Sequence, residues 1–391
     1  MNSMLKPTIL SLSLLTVMSG AAVAPGLAKI ALALPDASPT LIKLILTVPA
    51  IFIIIFSLVS GWLSHRFTKR NILCVGLVIY LIGGAGGGFA NSIEILLMFR
   101  ALLGVGVGLI APLSTGLIAD FYTGDNRAKL MGYSTAASSL GGIVATLSSG
   151  VLAAISWRFS FGVYLLGLVV ILLVLVFLPE PKDYKETKGD SGKIPISVYG
   201  WGVCAFLFML AFYAAPMNLA LFIEEEQIGG SAIAGLAISL MTGTGFIGGL
   251  LFGRIKKITA TFLPALLLIL MGTGYFILSQ ASSLPQVLVA TAIIGLSLGW
   301  SLPTIFIGAT KAGGDGRGVQ TMAVISSLAY FGQFMSPVVL GLIGNIFGNT
   351  SIRFVFQFLA ICFMALLFTV LAKKFFGKAG LIDKGNLNGG K

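Results

Sequence analysis

Gly61-Trp62-Leu63-Ser64-His65-Arg66-Phe67-Thr68-Lys69-Arg70 lies between two long apolar runs, residues 41–63 and 72–90. Arg66, Lys69 and Arg70 are too costly to leave in hydrocarbon, so the stretch reads as an aqueous loop joining two membrane-spanning helices. Alone, such a loop is a positive-inside topology signal. A second copy says more. Gly249-Leu250-Leu251-Phe252-Gly253-Arg254-Ile255-Lys256-Lys257 repeats the Gly-x-Leu-x-x-Arg spacing 188 residues downstream. A loop reused at the matching point of two halves is architecture, and the whole chain reads outward from it as a duplication.

The 391 residues are 57% hydrophobic and only 10% charged, with a mean hydropathy of +1.02. That is too little charge to cover a water-soluble surface of this size, so the chain is read as an integral membrane protein. Its apolar runs suit helices crossing about 30 Å of hydrocarbon and are too continuous for the alternating strands of a barrel. Fifty glycines point to helices packed through small residues. Cys74, Cys204 and Cys362 all sit within apolar runs without metal-like spacing, which predicts packing roles and no metal site. The net charge of +12 would suit nucleic acid, but its distribution assigns it to topology. With a cytoplasmic N-terminus, 20 of the 25 Lys and Arg residues fall in the tails and in every second loop. Both ends are therefore expected in the cytoplasm, with the bilayer as the only large partner.

Residues 8–34 imitate a signal peptide, with Ala22-Val23-Ala24 as a cleavage site. Pro25 argues against that, as does an echo in the seventh run. Ala24-Pro25-Gly26-Leu27-Ala28 matches Ala215-Pro216-Met217-Asn218-Leu219-Ala220. A proline within a span frees a carbonyl and bends the helix, which suits an element lining a cavity. The fourth run carries Arg100, then Gly104, Gly106, Gly108 and Pro112, and its counterpart carries Gly295, Gly299 and Pro303. Asp120 and Asp125-Asn126-Arg127 form the next basic-side loop, answered by Asp315-Gly316-Arg317. In the fifth run Gly141, Ala145 and Ser149 share one helical face for close contact. Twelve spans follow, as two parallel six-helix bundles at 1–178 and 198–372, with a polar linker at 179–197 and an unstructured basic tail at 373–391. The expected fold is all-α, with no separate soluble domain.

These motifs resemble the major facilitator superfamily over essentially the whole chain. Residues 61–70 resemble that family's loop between helices two and three, usually Gly-x-Leu-Ala-Asp-Arg-x-Gly-Arg-Lys. Arg100 with its glycines resembles the helix-four motif of the proton-linked branches, and the proline in helix one resembles the drug and metabolite efflux branch of drug:proton antiporters. The resemblance implies a cytoplasmic gate built from Gly61, His65, Arg66, Arg70, Asp120, Arg127 and Arg254. Two departures stand out. The motif's acid, a latch in the family, is here His65, the only histidine; it reads either as a hydrogen-bonding latch or as a solvated loop residue. The proline of the family's helix-five antiporter motif is here Thr146.

All thirteen acids fall in loops or at helix ends, so no carboxylate is expected at the membrane midplane. The intramembrane ions are cations. Lys29 sits near the outer end of helix one, where it can snorkel, and is with Arg100 a candidate for coupling or substrate charge. Arg100 lies about 9 Å inside its helix at 1.5 Å per residue. It needs a structural pair with Glu94 or a carbonyl, or else a role in coupling or in neutralising substrate charge. Tyr213, Asn218, Trp300, Tyr330 and Gln333 sit at spanning depth as pocket candidates, with core packing as the alternative for the aromatics. Gly243-Thr244-Gly245-Phe246-Ile247-Gly248 spells a dinucleotide fingerprint without the strand it requires. No P-loop or catalytic triad is present, so neither an enzyme nor a cofactor is expected. The function expected is secondary active transport by alternating access in a monomer, most simply efflux of a small amphipathic compound with protons as counter-ion. The alternatives are a carrier for an organic anion neutralised by Arg100 and, more remotely, a non-transporting membrane sensor.

Overall fold

The computed structural model describes residues 4–64, 66–179, 194–259, 262–314 and 317–386. Twelve helices are long and apolar enough to cross a membrane, and no strand occurs among the described residues. The first six are α1 (Leu5–Ala33), α2 (Pro39–Leu63), α3 (Lys69–Phe89), α4 (Ile93–Phe121), α5 (Gly124–Ile155) and α6 (Trp157–Phe177). The second six are α7 (Ile196–Glu225), α8 (Ser231–Thr259), α9 (Leu263–Gln280), α10 (Leu284–Gly313), α11 (Gly318–Ile346) and α12 (Ile352–Asn386).

Local chemistry sets the helix ends. The hydroxyls of Ser38, Thr68 and Ser92 accept the backbone N–H groups of Leu41, Asn71 and Ile95, which would otherwise be left unbonded at the starts of α2, α3 and α4. Helix α1 is interrupted where Pro25 removes a donor: regular helix over Leu5–Ala21, a tight turn at Ala24–Gly26, and helix again over Leu27–Ala33. Helix α7 passes through Pro216 unbroken. The carbonyl of Phe212, four residues before that proline, accepts the Tyr275 hydroxyl of α9 at 3.2 Å.

Three expectations about loops are corrected. Asp125, Asn126 and Arg127 lie in the first turn of α5, where an acid complements the helix dipole. Arg254, Lys256 and Lys257 belong to the end of α8, where cations favour the helix and need not stop it. The tail continues the backbone of α12 as helix to Asn386. The linker expected at 179–197 falls mostly on residues outside the described ones.

The duplication is visible in the packing. In the first half α4 lies against α2 and α3, and α5 against α1; in the second, α10 lies against α8 and α9, and α11 against α7. Glycines permit the closest of these approaches. A Cβ on Gly104 would stand 2.5 Å from the Pro49 carbonyl oxygen of α2, and one on Gly108 2.8 Å from Phe56 Cβ. On the equivalent helix pair, Gly295 and Gly299 press directly on the Met241 and Gly245 carbonyls of α8. Without a hydrophobic drive between helices in lipid, such backbone contact supplies the attraction. The repeat extends to capping. Arg158 of α6 donates to the Gly88 and Ala90 carbonyls at the end of α3 at 3.0 and 2.6 Å, and Arg353 of α12 donates to those of Ser279 and Ala281 at the end of α9, both at 2.8 Å.

Candidate functional site

The two bundles meet through α5 with α8 and α2 with α11, and between them lies a cavity of about 710 Å³. Its size suits a small organic molecule. Tyr213, Tyr330 and Gln333 line it, together with Phe212, Phe246 and Phe306 from the second half. Thr16, Ser19, Thr135, Ser138 and Ser139 line the first-half side. No charged side chain lines it among the described residues.

Two of the expected pocket residues lie elsewhere. Asn218 is fully buried and donates to the Ala214 carbonyl of its own helix at 2.8 Å. Trp300 spends its indole N–H on the Gly248 carbonyl at 2.9 Å, tying α10 to α8. The hydroxyls of α5 are the residues sequence reasoning missed. Part of their signal was present, because Thr135 and Ser139 stand four residues apart on a stripe beside that of Gly141, Ala145 and Ser149, whereas Ser138 falls on the latter. That second face packs on α1: Gly141 abuts the Leu14 carbonyl, Ala145 is fully buried, and the Ser149 hydroxyl donates to the Ala22 carbonyl at the break in α1.

The cavity is closed at the face opposite the basic loops. There Gly150 packs on the Ser231 carbonyl and the Gly235 Cα, so that a Cβ would sit 2.8 and 3.1 Å from them. Thr146 and Ser239 share a hydrogen bond of 2.5 Å between the halves. The residue that replaces the family's helix-five proline is thus a cross-bundle tie. Towards the basic loops the same two helices diverge. A Cβ at Gly132 of α5 would meet nothing within 4 Å, and both Gly132 and Gly249 of α8 line the cavity.

A cluster of charge sits on the closed rim at Glu224-Glu225-Glu226, where α7 ends. Lys29 of α1 reaches Glu224 across the bundle boundary at 3.7 Å. Glu225 acts electrostatically on Lys43 of α2. Glu226 is held within its own half by a bidentate pair, Arg353 Nε and Nη2 each donating at 2.6 Å. Those hydrogen bonds hold its carboxyl below the usual carboxylate range.

Arg100 lies fully buried inside the first bundle and does not line the cavity. Its Nε donates to the Ile45 carbonyl at 2.8 Å, Nη1 to the Tyr164 hydroxyl at 2.7 Å and Nη2 to the Ser19 carbonyl at 2.7 Å. The geometry explains why these acceptors are available. Pro49 has no N–H for Ile45, four residues earlier in α2, and Ser19 precedes the break in α1. The guanidinium therefore satisfies carbonyls at two helix irregularities, and Glu94 is not its partner.

Around the basic loop, Lys69 Nζ pairs with Asp120 Oδ2 at 2.8 Å, joining α3 to α4. Arg66 stacks over Trp62 at 4.5 Å. Arg70 donates to the Leu175 carbonyl near the end of α6, a cation placed at a helix C-terminus. A Cβ on Gly61 would meet nothing within 4 Å, so this glycine is not a close-packing position. Arg127 and Arg254 are exposed, and His65 lies outside the described residues.

Comparison with known proteins agrees with this geometry. Residues 9–337 match the family model described as Major Facilitator Superfamily. Multidrug resistance protein 1 of Bacillus subtilis is 27% identical over 328 residues, 80% of this chain and 82% of that protein. The arabinose–proton symporter of Escherichia coli is 29% identical over 134 residues, a match spanning 34% of this chain and only 28% of the symporter. A bacterial homologue of the human lysosomal transporter Spinster, solved inward-facing and unoccupied, superposes with a TM-score of 0.75 at 17% identity, covering 96% of this chain and 97% of that one.

Proposed function

Since the chain belongs to the major facilitator superfamily, we propose that it is a secondary active transporter that exports small amphipathic organic compounds from the cytoplasm by alternating access. The observation that carries this reading is the interbundle cavity, closed at one membrane face by α5 against α8 and α2 against α11 and lined on its other side by diverging helices. Two bundles meeting along small-residue seams can exchange which end is closed without rebuilding either one. In the proposed orientation the basic loops and both termini are cytoplasmic, so this conformation faces inward. Direction and cargo are read from the mainly apolar lining and from the likeness to a multidrug resistance protein. Protons are the proposed counter-ion. No carboxylate lines the cavity among the described residues, and at the rim Glu224 and Glu225 act across the bundle boundary on Lys29 and Lys43.

Arg100 does not favour the organic-anion alternative, because three of its donors are bound within its own bundle and none faces the cavity. The proposal is tested by counterflow in proteoliposomes across neutral, cationic and anionic amphiphiles, with and without a pH gradient. Uptake driven by internal substrate and stimulated by the gradient supports it. Absence of flux for every solute would leave the sensor reading in its place.

A further inference from the structure

The cavity's polar groups are not equivalent. On the first-half wall most hydroxyl protons are already donated to backbone: Thr16 to Ser13 at 2.7 Å, Ser19 to Thr16 at 2.9 Å, Thr135 to Met131 at 3.2 Å and Ser138 to Ser13 at 2.9 Å. On the second-half wall the hydroxyls of Tyr213 and Tyr330 and the amide of Gln333 make no hydrogen bond within the protein among the described residues, yet all three side chains line the cavity. The two phenols are close enough to interact electrostatically. Unspent polar groups at an otherwise apolar surface are where a ligand's polar atoms are read, because burying them unpaired is unfavourable.

The surroundings exclude charge. Among the described residues, no carboxylate and no cation lines the cavity. Behind its first-half wall stands the Arg100 guanidinium, hydrogen-bonded to the carbonyl of the lining residue Ser19. None of the partners described for it is a carboxylate. A transported ion would have to pass through an occluded state without a counter-charge, and aromatic faces repay only part of its lost hydration. A cation would in addition feel the guanidinium. We propose that the cavity takes an uncharged amphipathic molecule, whose apolar body lies against Phe212, Phe246 and Phe306 and whose polar end is read by Tyr213, Tyr330 and Gln333. This rests on the reading of the cavity as the transport site.

The test uses three probes with one aromatic body: 2-naphthamide, the 2-naphthyltrimethylammonium ion and 2-naphthoate. Their binding to the full chain in detergent is followed by equilibrium dialysis. The amide is expected to bind about tenfold or more tighter than either ion. Tyr330→Phe, which removes only a hydroxyl, and Gln333→Leu each weaken it by roughly tenfold. Gln333→Glu inverts the preference and admits the ammonium ion, a gain that general loss of structure cannot produce. The proposal is overturned if either ion binds the native chain as tightly as the amide, if the amide ignores all three substitutions, or if no probe binds. Counterflow of the same probes separates the two readings. Amide binding at these residues without counterflow removes the transport reading and leaves this assignment, whereas counterflow of the ions but not the amide does the reverse.

Discussion

Arg100 shows how one side chain holds a bundle together. It joins α4 to the Ile45 carbonyl of α2, the Ser19 carbonyl of α1 and the Tyr164 hydroxyl of α6. Arg100→Ala would leave the Ile45 carbonyl without its side-chain donor where lipid and packed side chains offer no water, at about 1–3 kcal/mol before relaxation, while the Ser19 carbonyl keeps the Tyr164 hydroxyl, which donates to it at 2.8 Å. The expected result is a loss of about 1–3 kcal/mol in stability, read as a lowered melting temperature in detergent, together with loss of transport. Arg100→Lys should rescue little, because an ammonium cannot span three acceptors set around a planar fork. A variant that melts like the native chain yet fails to transport would restore the coupling role. At the rim, Glu226 has its carboxyl pKa depressed by Arg353. The stabilisation from that pair is therefore complete above the ordinary carboxylate value and is lost as pH falls through the depressed one. The melting temperature should drop below roughly pH 4, and the drop should be smaller in Glu226→Gln.

Helices carry the conformational argument. The seams α5–α8 and α2–α11 are repeats of one another, and a charge pair spans the boundary beside them, Lys29 with Glu224 at 3.7 Å. Both partners are partly exposed, 40% and 33%, so the pair contributes at most about 1 kcal/mol. Glu224→Gln should accordingly shift the population closed at this rim several-fold without abolishing it, read as a longer-distance component between spin labels at Ile155 and Gly230. What the sequence made legible at this scale was periodic: the number of spans and the glycine rows of α4 and α10. The contents of the site were less legible. Tyr213 and Asn218 are both polar residues at spanning depth on one helix; five residues apart they fall on different faces, but the spacing did not say which face meets the cavity. For Arg100 a carbonyl partner was among the expectations, but which carbonyls it meets, those of Ile45 and Ser19, depends on how three helices pack and is not set by any spacing along one of them. The end of α8 was misjudged because its cations were taken as loop markers, when at a C-terminus they favour helix.

At the scale of the molecule, orientation comes first. Single cysteines at Thr123 and Ser282, both exposed, lie at opposite ends of the spans. In a cysteine-free background, an impermeant thiol reagent applied to intact cells should label Ser282→Cys only; labelling of Thr123→Cys instead would turn the transporter over. The central claim is that one cavity is opened alternately to the two faces by bundles that move as units. The most direct measurement uses the two ends of the same helix pair, with spin labels at Ile155 and Gly230 on one face and at Arg127 and Arg254 on the other. Double electron–electron resonance in lipid nanodiscs should show the first distance short and the second long at rest. Transported substrate or a change of pH should then move the two populations in opposite directions. Distances that stay fixed at both ends under conditions that support transport, or that lengthen together, would contradict the account.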